Sequence, residues 1–381
     1  MANRGELSWI SSEAARRAKS ALAVALSFAI LLGGMGFVSW KGYGIYMDWR
    51  QKDDWIGEGD QPVQIVIESG SGWGVVADSL VAANVIKDPN LFTKEALKLA
   101  DGPKQPGTYN LLTHLPAKTA ADWLNDPKRL VTTTFTIPEG LRLVDMYQIL
   151  IEDAGVTQED IDKALEAIKA DPTVIGLNPA AGNNLEGFLF PDTYVVHPPI
   201  DSDALSIFKQ MAGEFNTLAE SLGLEARAQA LGYSTHDIVT IASLIEAEVN
   251  TPQYAPMVAR AIYNRLAAGI PLQVESAFRY GRLMTDGIPY NDPITSASQN
   301  DASLPYNIYI NPGLPATPID GPGKAALEAA LNPADGDWLY WVTVNLDTGE
   351  TKFTASESEF WDFVAEFDSW CVANGNPAGC S

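Results

Sequence analysis

The sequence predicts an α+β protein with a single N-terminal transmembrane helix, then a small α/β module, then a larger mixed α+β domain. Three observations lead there. The run from Ser20 to Trp40 carries no charged residue, and it is about long enough to cross a bilayer as a helix. A short β-type run ending in glycine and followed by a helical pattern occurs twice, at residues 64–70 and 134–140. Beyond residue 160 the apolar spacing is mainly helical, is broken by Pro and Gly, and closes in a hydrophobic strand and hairpin. A chain of 381 residues, 46% hydrophobic and 19% charged, is a folded protein with room for two or three domains.

The elements follow in order. Arg16, Arg17 and Lys19 precede the apolar run, and Trp40 and Tyr43 follow it at the expected interface. The positive-inside rule then places residues 1–20 in the cytoplasm, 21–40 in the membrane and the rest outside. No small-x-small site closes the run, which favours a retained anchor over a cleaved signal peptide. Residues 41–61 read as a polar stalk. The module is expected at 62–160. Gln64–Gly70 leads into a helix bearing Val75, Val76 and Leu80, and Thr134–Gly140 leads into one bearing Met146, Ile149 and Leu150. The stretch 104–111 between them reads as a turn into a strand. Two such short pieces can also resemble each other by chance.

The larger domain is expected at 161–365. Residues 158–170 form an acidic amphipathic helix that Asp171-Pro172 ends, and Ala204–Leu222 carries Leu205, Phe208, Met211 and Phe215 on one face. Ser234 begins a capping-box pattern, after which Ile238, Ile241, Ala242, Ile245 and Val249 make an apolar stripe. A further helix spans about 254–268, and residues 272–281 are amphipathic but ambiguous. Residues 305–319 form a rigid loop rich in Tyr, Asn and Pro. A helix at Lys324–Leu331 precedes the strand at 338–344, which Asp347-Thr348-Gly349 turns into a hairpin, and 357–370 form the last helix. The tail, 366–381, holds the two cysteines, Cys371 and Cys380. Such a pair closes a small disulfide loop in an oxidising compartment, the alternative being two free thiols.

Charge and residue types narrow the chemistry. Residues 1–20 hold four basic and two acidic residues, so the remainder carries −25 of the net −23. That sign repels nucleic acid. Three histidines and two cysteines show no metal-ligand spacing, and no nucleophile-elbow or phosphate-loop motif is present. No cofactor or metal is expected. Chemistry is left to carboxylates, hydroxyls, amides and backbone.

The stretch Asn183–Tyr194 holds one carboxylate, Glu186, among Leu185, Phe188, Leu189 and Phe190. An apolar wall disfavours the charged form and raises a carboxyl pKa towards neutrality, where the acid can serve as a proton donor. Gly187 lets backbone or substrate pass close by. The same pattern also suits a buried turn whose Glu caps a neighbouring amide. Glu246 and Glu248 lie two positions apart on a helix, about 200° around it, and cannot both face one cleft. Their spacing equally describes two surface acids at a helix end. Arg265 suits either a substrate clamp or a partner for a buried carboxylate.

Taken in order, several motifs resemble the YceG-like family. They are Leu185-Glu186-Gly187-Phe188-x-Phe190-Pro191-Asp192-Thr193-Tyr194, Ala242-Ser243-Leu244-Ile245-Glu246-x-Glu248 and Tyr263-Asn264-Arg265-Leu266. Leu272-Gln273 before Tyr280-Gly281, Pro305-Tyr306-Asn307-x-Tyr309, Gly313-Leu314-Pro315 and Pro318-Ile319 continue the set. The resemblance covers roughly residues 60–360. Ala316 stands where a second proline is usual, and Val274-Glu275-Ser276 where an Asp/Ser-Pro pair is usual. The resemblance implies a single membrane span, a LysM-like module at 62–160 and a catalytic domain at 161–365. It also implies endolytic transglycosylase action on peptidoglycan: cleavage of the β-1,4 bond from N-acetylmuramic acid to N-acetylglucosamine, leaving a 1,6-anhydro end. Glu186 is then the catalytic acid and base. Asp192, Thr193, Glu246, Asn264, Arg265, Gln273, Tyr306 and Asn307 are candidates for orienting substrate or Glu186. The implied partners are glycan strands, the bacterial cell membrane and cell-wall synthases. A hydrolase with a reducing-end product and a non-catalytic peptidoglycan-binding scaffold are the other two readings.

Overall fold

The structure, a computed structural model, describes residues 33–43, 54–99, 105–249, 251–377 and 380. Residues 20–32 of the apolar run and 44–53 of the stalk lie outside the described residues. Residues 33–43 are helical and exposed. Among the described residues no helix is long and apolar enough to cross a membrane; of the span expected at 21–40 they include only 33–40. The chain divides into two compact units, Met1–Val131 and Thr132–Ser381.

In the first unit β1 (Pro62–Ile67) pairs antiparallel with β2 (Gly107–Leu112), with Ile65 opposite Tyr109. Alternation along β1 turns Ile65 and Ile67 inward and leaves Val66 exposed. Helices α1 (Trp73–Ala82), α2 (Pro89–Ala96) and α3 (Ala117–Leu124) supply the rest of the core. In α1 the inward residues are Trp73, Val76, Ala77 and Leu80, a single helical face. Asp88 caps α2 by accepting from Asn90 N and Leu91 N, with Pro89 at the first helical position. The sequence had signalled neither α2 nor α3, whose apolar stripes are short.

The second unit begins with β3 (Thr133–Thr136), which pairs antiparallel with β4 (Thr193–Val196). Phe135 stacks on Tyr194 with ring centroids 5.7 Å apart. The helix that follows, α4 (Leu143–Glu152), buries Met146 and Leu150 in the same core as Phe188 and Phe208. The second strand-helix piece of the module expected at 62–160 therefore folds with the second unit. Its strand finds its hydrogen-bonding partner at 193–196, and the first unit ends at Val131.

Helices α5 (Gln158–Ala170), α6 (Ala204–Leu222), α7 (Leu224–Leu231), α8 (Thr235–Glu248), α9 (Ala255–Ala268), α10 (Glu275–Asp286) and α11 (Lys324–Leu331) follow. Capping boxes start α5 at Thr157/Asp160 and α8 at Ser234/Asp237. Residues 238–245 of α8 are buried without interruption, which marks a helix surrounded by protein. The ambiguous stretch at 272–281 resolves into a loop up to Val274 and then α10. Strands β5 (Tyr340–Asn345) and β6 (Glu350–Thr354) form the hairpin, and α12 (Glu357–Ala373) packs on it. Cys371, in the last turn of α12, is disulfide-bonded to Cys380, with Cα atoms 5.7 Å apart.

The segment Pro318–Gly323 runs through the middle of this unit as a strap. Pro318 lies against Gly187, where an added Cβ would stand 2.6 Å from it. Ile319 N donates to Ser243 Oγ at 3.1 Å, on α8. Gly321 exchanges backbone bonds with the turn before α4, accepting from Gly140 N and donating to Leu141 O, each 2.8 Å. Gly323 N donates to Glu246 Oε2 at 3.0 Å.

Candidate active site

The loop holding Glu186 is fixed from both ends. Asn184 Oδ1 accepts from Glu186 N at 3.0 Å, and Phe190 N donates to Met211 O on α6 at 3.2 Å. Gly187 takes φ +80° with Pro318 and Val239 both closer than 3.0 Å to any added Cβ. That is a left-handed turn in a space only glycine fits. The turn directs Glu186 inward, where it is 1% exposed. Its Oε1 accepts from Leu143 N at 3.0 Å, in the first turn of α4, and its Oε2 accepts from the Tyr280 hydroxyl at 2.9 Å, on α10.

Opposing forces act on this carboxyl. Burial disfavours the anion, while the Tyr280 O–H, the Leu143 N–H and the Arg142 guanidinium favour it, and Asp145 opposes it again. Burial wins, and the pKa rises from 4.5 to about 7. Glu186 is therefore a carboxylic acid that both gives and takes a proton near neutral pH. Its charge in turn adds to burial in raising the Tyr147 and Tyr280 phenols, so both remain hydroxyl donors.

Glu186 has acidic company. Asp320, in the strap, is 4% exposed, and its Oδ1 makes no hydrogen bond. Burial comes first in holding its carboxyl well above the ordinary range, followed by the charges of Glu246 and Glu186, against which Arg142 is the one favourable charge. Arg142 is already bonded to Asp145 through Nε at 2.6 Å and lies over the Tyr290 ring at 4.3 Å. Glu246, below its bond from Gly323, is also pushed up, by burial and then by Glu139. So many acids around one guanidinium, of which Nε is bonded to Asp145 and Nη1 has no hydrogen-bond partner, cannot all ionise together. Among the described residues no group of three such side chains is placed to hold a metal ion.

The other residues singled out from sequence hold varied places. Glu246 belongs to this acidic group. Tyr306 supports it from behind: it meets Tyr280 edge-on at 5.2 Å, bonds Thr317 Oγ1 at 2.8 Å, and fits against Gly281, where a Cβ would stand 2.4 Å from Tyr306 Cβ. Thr193 and Asp192 sit exposed at the start of β4, where Thr193 bonds Thr136 and Asp192 Oδ1 accepts from Thr193 N. Asn307, wholly buried, donates to Gln299 O and Asp301 O and closes its own loop. Asn264 donates to Gly336 O and Trp338 O. Arg265, 4% exposed, donates to Pro271 O, Leu339 O and Gln273 Oε1. These bonds go to carbonyls and an amide and none to a carboxylate, so Arg265 is a structural tie here, a role outside the clamp and the carboxylate partner expected of it. Gln273 itself adopts φ +58°. Glu248, the other acid of α8, turns to α10 and accepts from Ser276 Oγ at 3.1 Å. Both α8 acids are thus drawn into the protein on different sides, as their 200° separation requires.

Asp320 and the Leu143 amide escaped the sequence reading, and Tyr280 stood there only as part of a family motif, with no role. Asp320 left one trace, a lone carboxylate inside Pro318-Ile319-Asp320-Gly321-Pro322-Gly323.

The YceG-like family model matches residues 65–366. The chain is 28% identical over 312 residues to an endolytic murein transglycosylase of Bacillus subtilis, covering 78% of this chain and 82% of that protein. An endolytic murein transglycosylase of Streptococcus pneumoniae is 25% identical over 372 residues, and the match spans 90% of this chain but 65% of that longer protein. A crystal structure of a yceG-like protein from Listeria monocytogenes superposes with a TM-score of 0.50 at 25% identity, covering 80% of this chain and 99% of that one. With the family's pattern running from the first strand of the first unit into the last helix of the second, the chain belongs to the YceG-like family.

Proposed function

We propose that this chain is an endolytic murein transglycosylase, the activity by which its curated relatives are named. The observation that carries the reading is the burial of Glu186 between Leu143 N and the Tyr280 hydroxyl with a pKa of about 7. Protonated Glu186 gives its proton to the glycosidic oxygen as the bond from the anomeric carbon breaks. The carboxylate so formed takes the proton of the muramoyl 6-hydroxyl, whose oxygen closes on the anomeric carbon. One bond forms as one breaks, no water is consumed, and Glu186 ends in its starting state. A single carboxyl suffices because the nucleophile belongs to the substrate, unlike the paired carboxylates of most glycosidases. Tyr280 and Leu143 N stabilise the transient carboxylate without moving.

The uncharged run at 20–40 and the cations before it support a membrane anchor with a cytoplasmic N-terminus. On that reading the enzyme cuts nascent strands outside the cytoplasm, close to the synthases that make them. The part of the expected module that folds in the first unit is assigned to holding the strand.

The test is incubation of the full-length protein in detergent with uncrosslinked glycan strands, followed by mass spectrometry, with Glu186→Gln alongside. Internal fragments with anhydro ends, absent for the variant, are expected. Fragments heavier by one water would mean a hydrolase. Retention of strands by both proteins without cleavage would mean a scaffold.

A further inference from the structure

A cavity of about 410 Å³ lies in the second unit, lined by Glu248, Glu357, Tyr340, Trp341, Phe360 and Trp361 among others. We propose that it binds a primary ammonium group at the end of an aliphatic chain, carried on the peptide arm of the glycan strand. This rests on the function proposed above and names a part of the substrate that the acid itself does not read.

The walls fit that ligand. Trp341, Phe360 and Trp361 offer π faces and apolar surface to a short aliphatic chain and its cationic head, while the Tyr340 ring is faced by Arg265. Trp361, at the start of α12, is 59% exposed and forms an open rim. Two carboxylates supply the opposite charge. Glu248 has one oxygen bonded to Ser276, and among the described residues neither it nor Glu357 has an ion-pair partner. Burial, with the charge of Glu275 adding to it, pushes the Glu248 carboxyl up, so an arriving cation would relieve a standing cost.

An anionic ligand fits less well. Arg265 also borders the cavity, but its bonds go to Pro271 O, Leu339 O and Gln273 Oε1 and its guanidinium faces the Tyr340 ring. A neutral sugar ring would stack on the aromatics yet bring no cation to Glu248. Gln273, at the edge, holds φ +58°, the kind of backbone strain found at ligand sites.

Helix α10 ties the cavity to the catalytic acid. Ser276 reaches Glu248, and Tyr280, four residues on and so on the same face, reaches Glu186. Four residues of helix advance about 6 Å. An extended peptide advances about 3.4 Å per residue. About two residues of an extended arm running along α10 cover that rise.

The experiment measures binding to full-length Glu186→Gln, which separates recognition from turnover. Two probes are used: uncrosslinked strands with a free side-chain amine on the peptide, and the same strands N-acetylated at that amine. The free-amine strand is expected to bind about tenfold tighter. Adding Glu248→Gln or Glu357→Gln should shrink that ratio below about threefold while affinity for the acetylated strand stays within about twofold. Unchanged binding of the acetylated strand also shows that these variants are folded. Equal affinity for the two strands, a preference that both variants retain, or no binding of either strand would overturn the proposal. Wild-type cleavage of both strands at equal rates would leave the transglycosylase reading intact and remove this inference alone.

Discussion

Replacing Glu186 by Gln should abolish cleavage and stabilise the second unit at neutral pH. The native carboxyl has a pKa of about 7 against an ordinary 4.5, so the folded state holds a proton that the unfolded state releases. Stability then falls as pH rises from 4.5 through 7 and is level above that. At about 1.4 kcal/mol per unit, the full cost of the buried charge is roughly 3.4 kcal/mol. At pH 7 the group is half ionised and the cost is about 3 kcal/mol, while at pH 5 it is under about 1 kcal/mol. Glutamine is uncharged at every pH, accepts from Leu143 N, and can donate to Tyr280 once that hydroxyl turns. The stability difference between variant and wild type should therefore widen by about 2 kcal/mol between pH 5 and 7. For a unit of this size that is a melting shift of several degrees. Thermal or urea denaturation of both proteins at pH 5, 6, 7 and 8 measures it. A difference that does not change with pH, or one that narrows as pH rises, would refute the claim that burial governs this group.

Other perturbations have definite signs. Tyr280→Phe removes a bond that favours the Glu186 anion, so the alkaline limb of the kcat profile should move to higher pH; a shift to lower pH would contradict the assignment. Gly187→Ala forces a side chain into φ +80° and against Pro318 and Val239. A loss on the order of 2 kcal/mol or more is expected, visible as an early-melting second unit. Burial pushes the Asp320 carboxyl well above its ordinary range, so Asp320→Asn should gain stability relative to the native protein as pH rises. A variant whose loss of stability grows with pH would show that Asp320 is charged in the native protein.

Glu186 was legible because its apolar wall is largely local: Leu185, Phe188 and Leu189 are neighbours in sequence, and the pattern alone announces burial. Its partners were not, since Leu143 and Tyr280 lie 43 and 94 residues away. The helices beginning at Ala204, Ala255 and Lys324 were read almost to the residue, because long apolar periodicity and Pro or Gly stops agree there. The module boundary was not, because a β-type run does not say which strand it will join. Asn264, Arg265 and Asn307 show a second limit. Their types suit a sugar, yet each is engaged by backbone carbonyls of loops far along or folded over in the chain, and no composition reveals a carbonyl partner.

The strap at Pro318–Gly323 has a consequence for timing. Synthesis delivers Leu143 and Glu186 long before Tyr280, and Tyr280 before Pro318 and the glycines that cross beside Leu141. Until that late segment threads into place, the Gly187 side of the Glu186 loop lacks its Pro318 cover, and a glutamate in water, with the ordinary pKa of 4.5, is almost wholly anionic at neutral pH. An unfinished chain thus holds the right residue in the wrong ionic form. The neutral carboxyl arrives only with completion of the second unit.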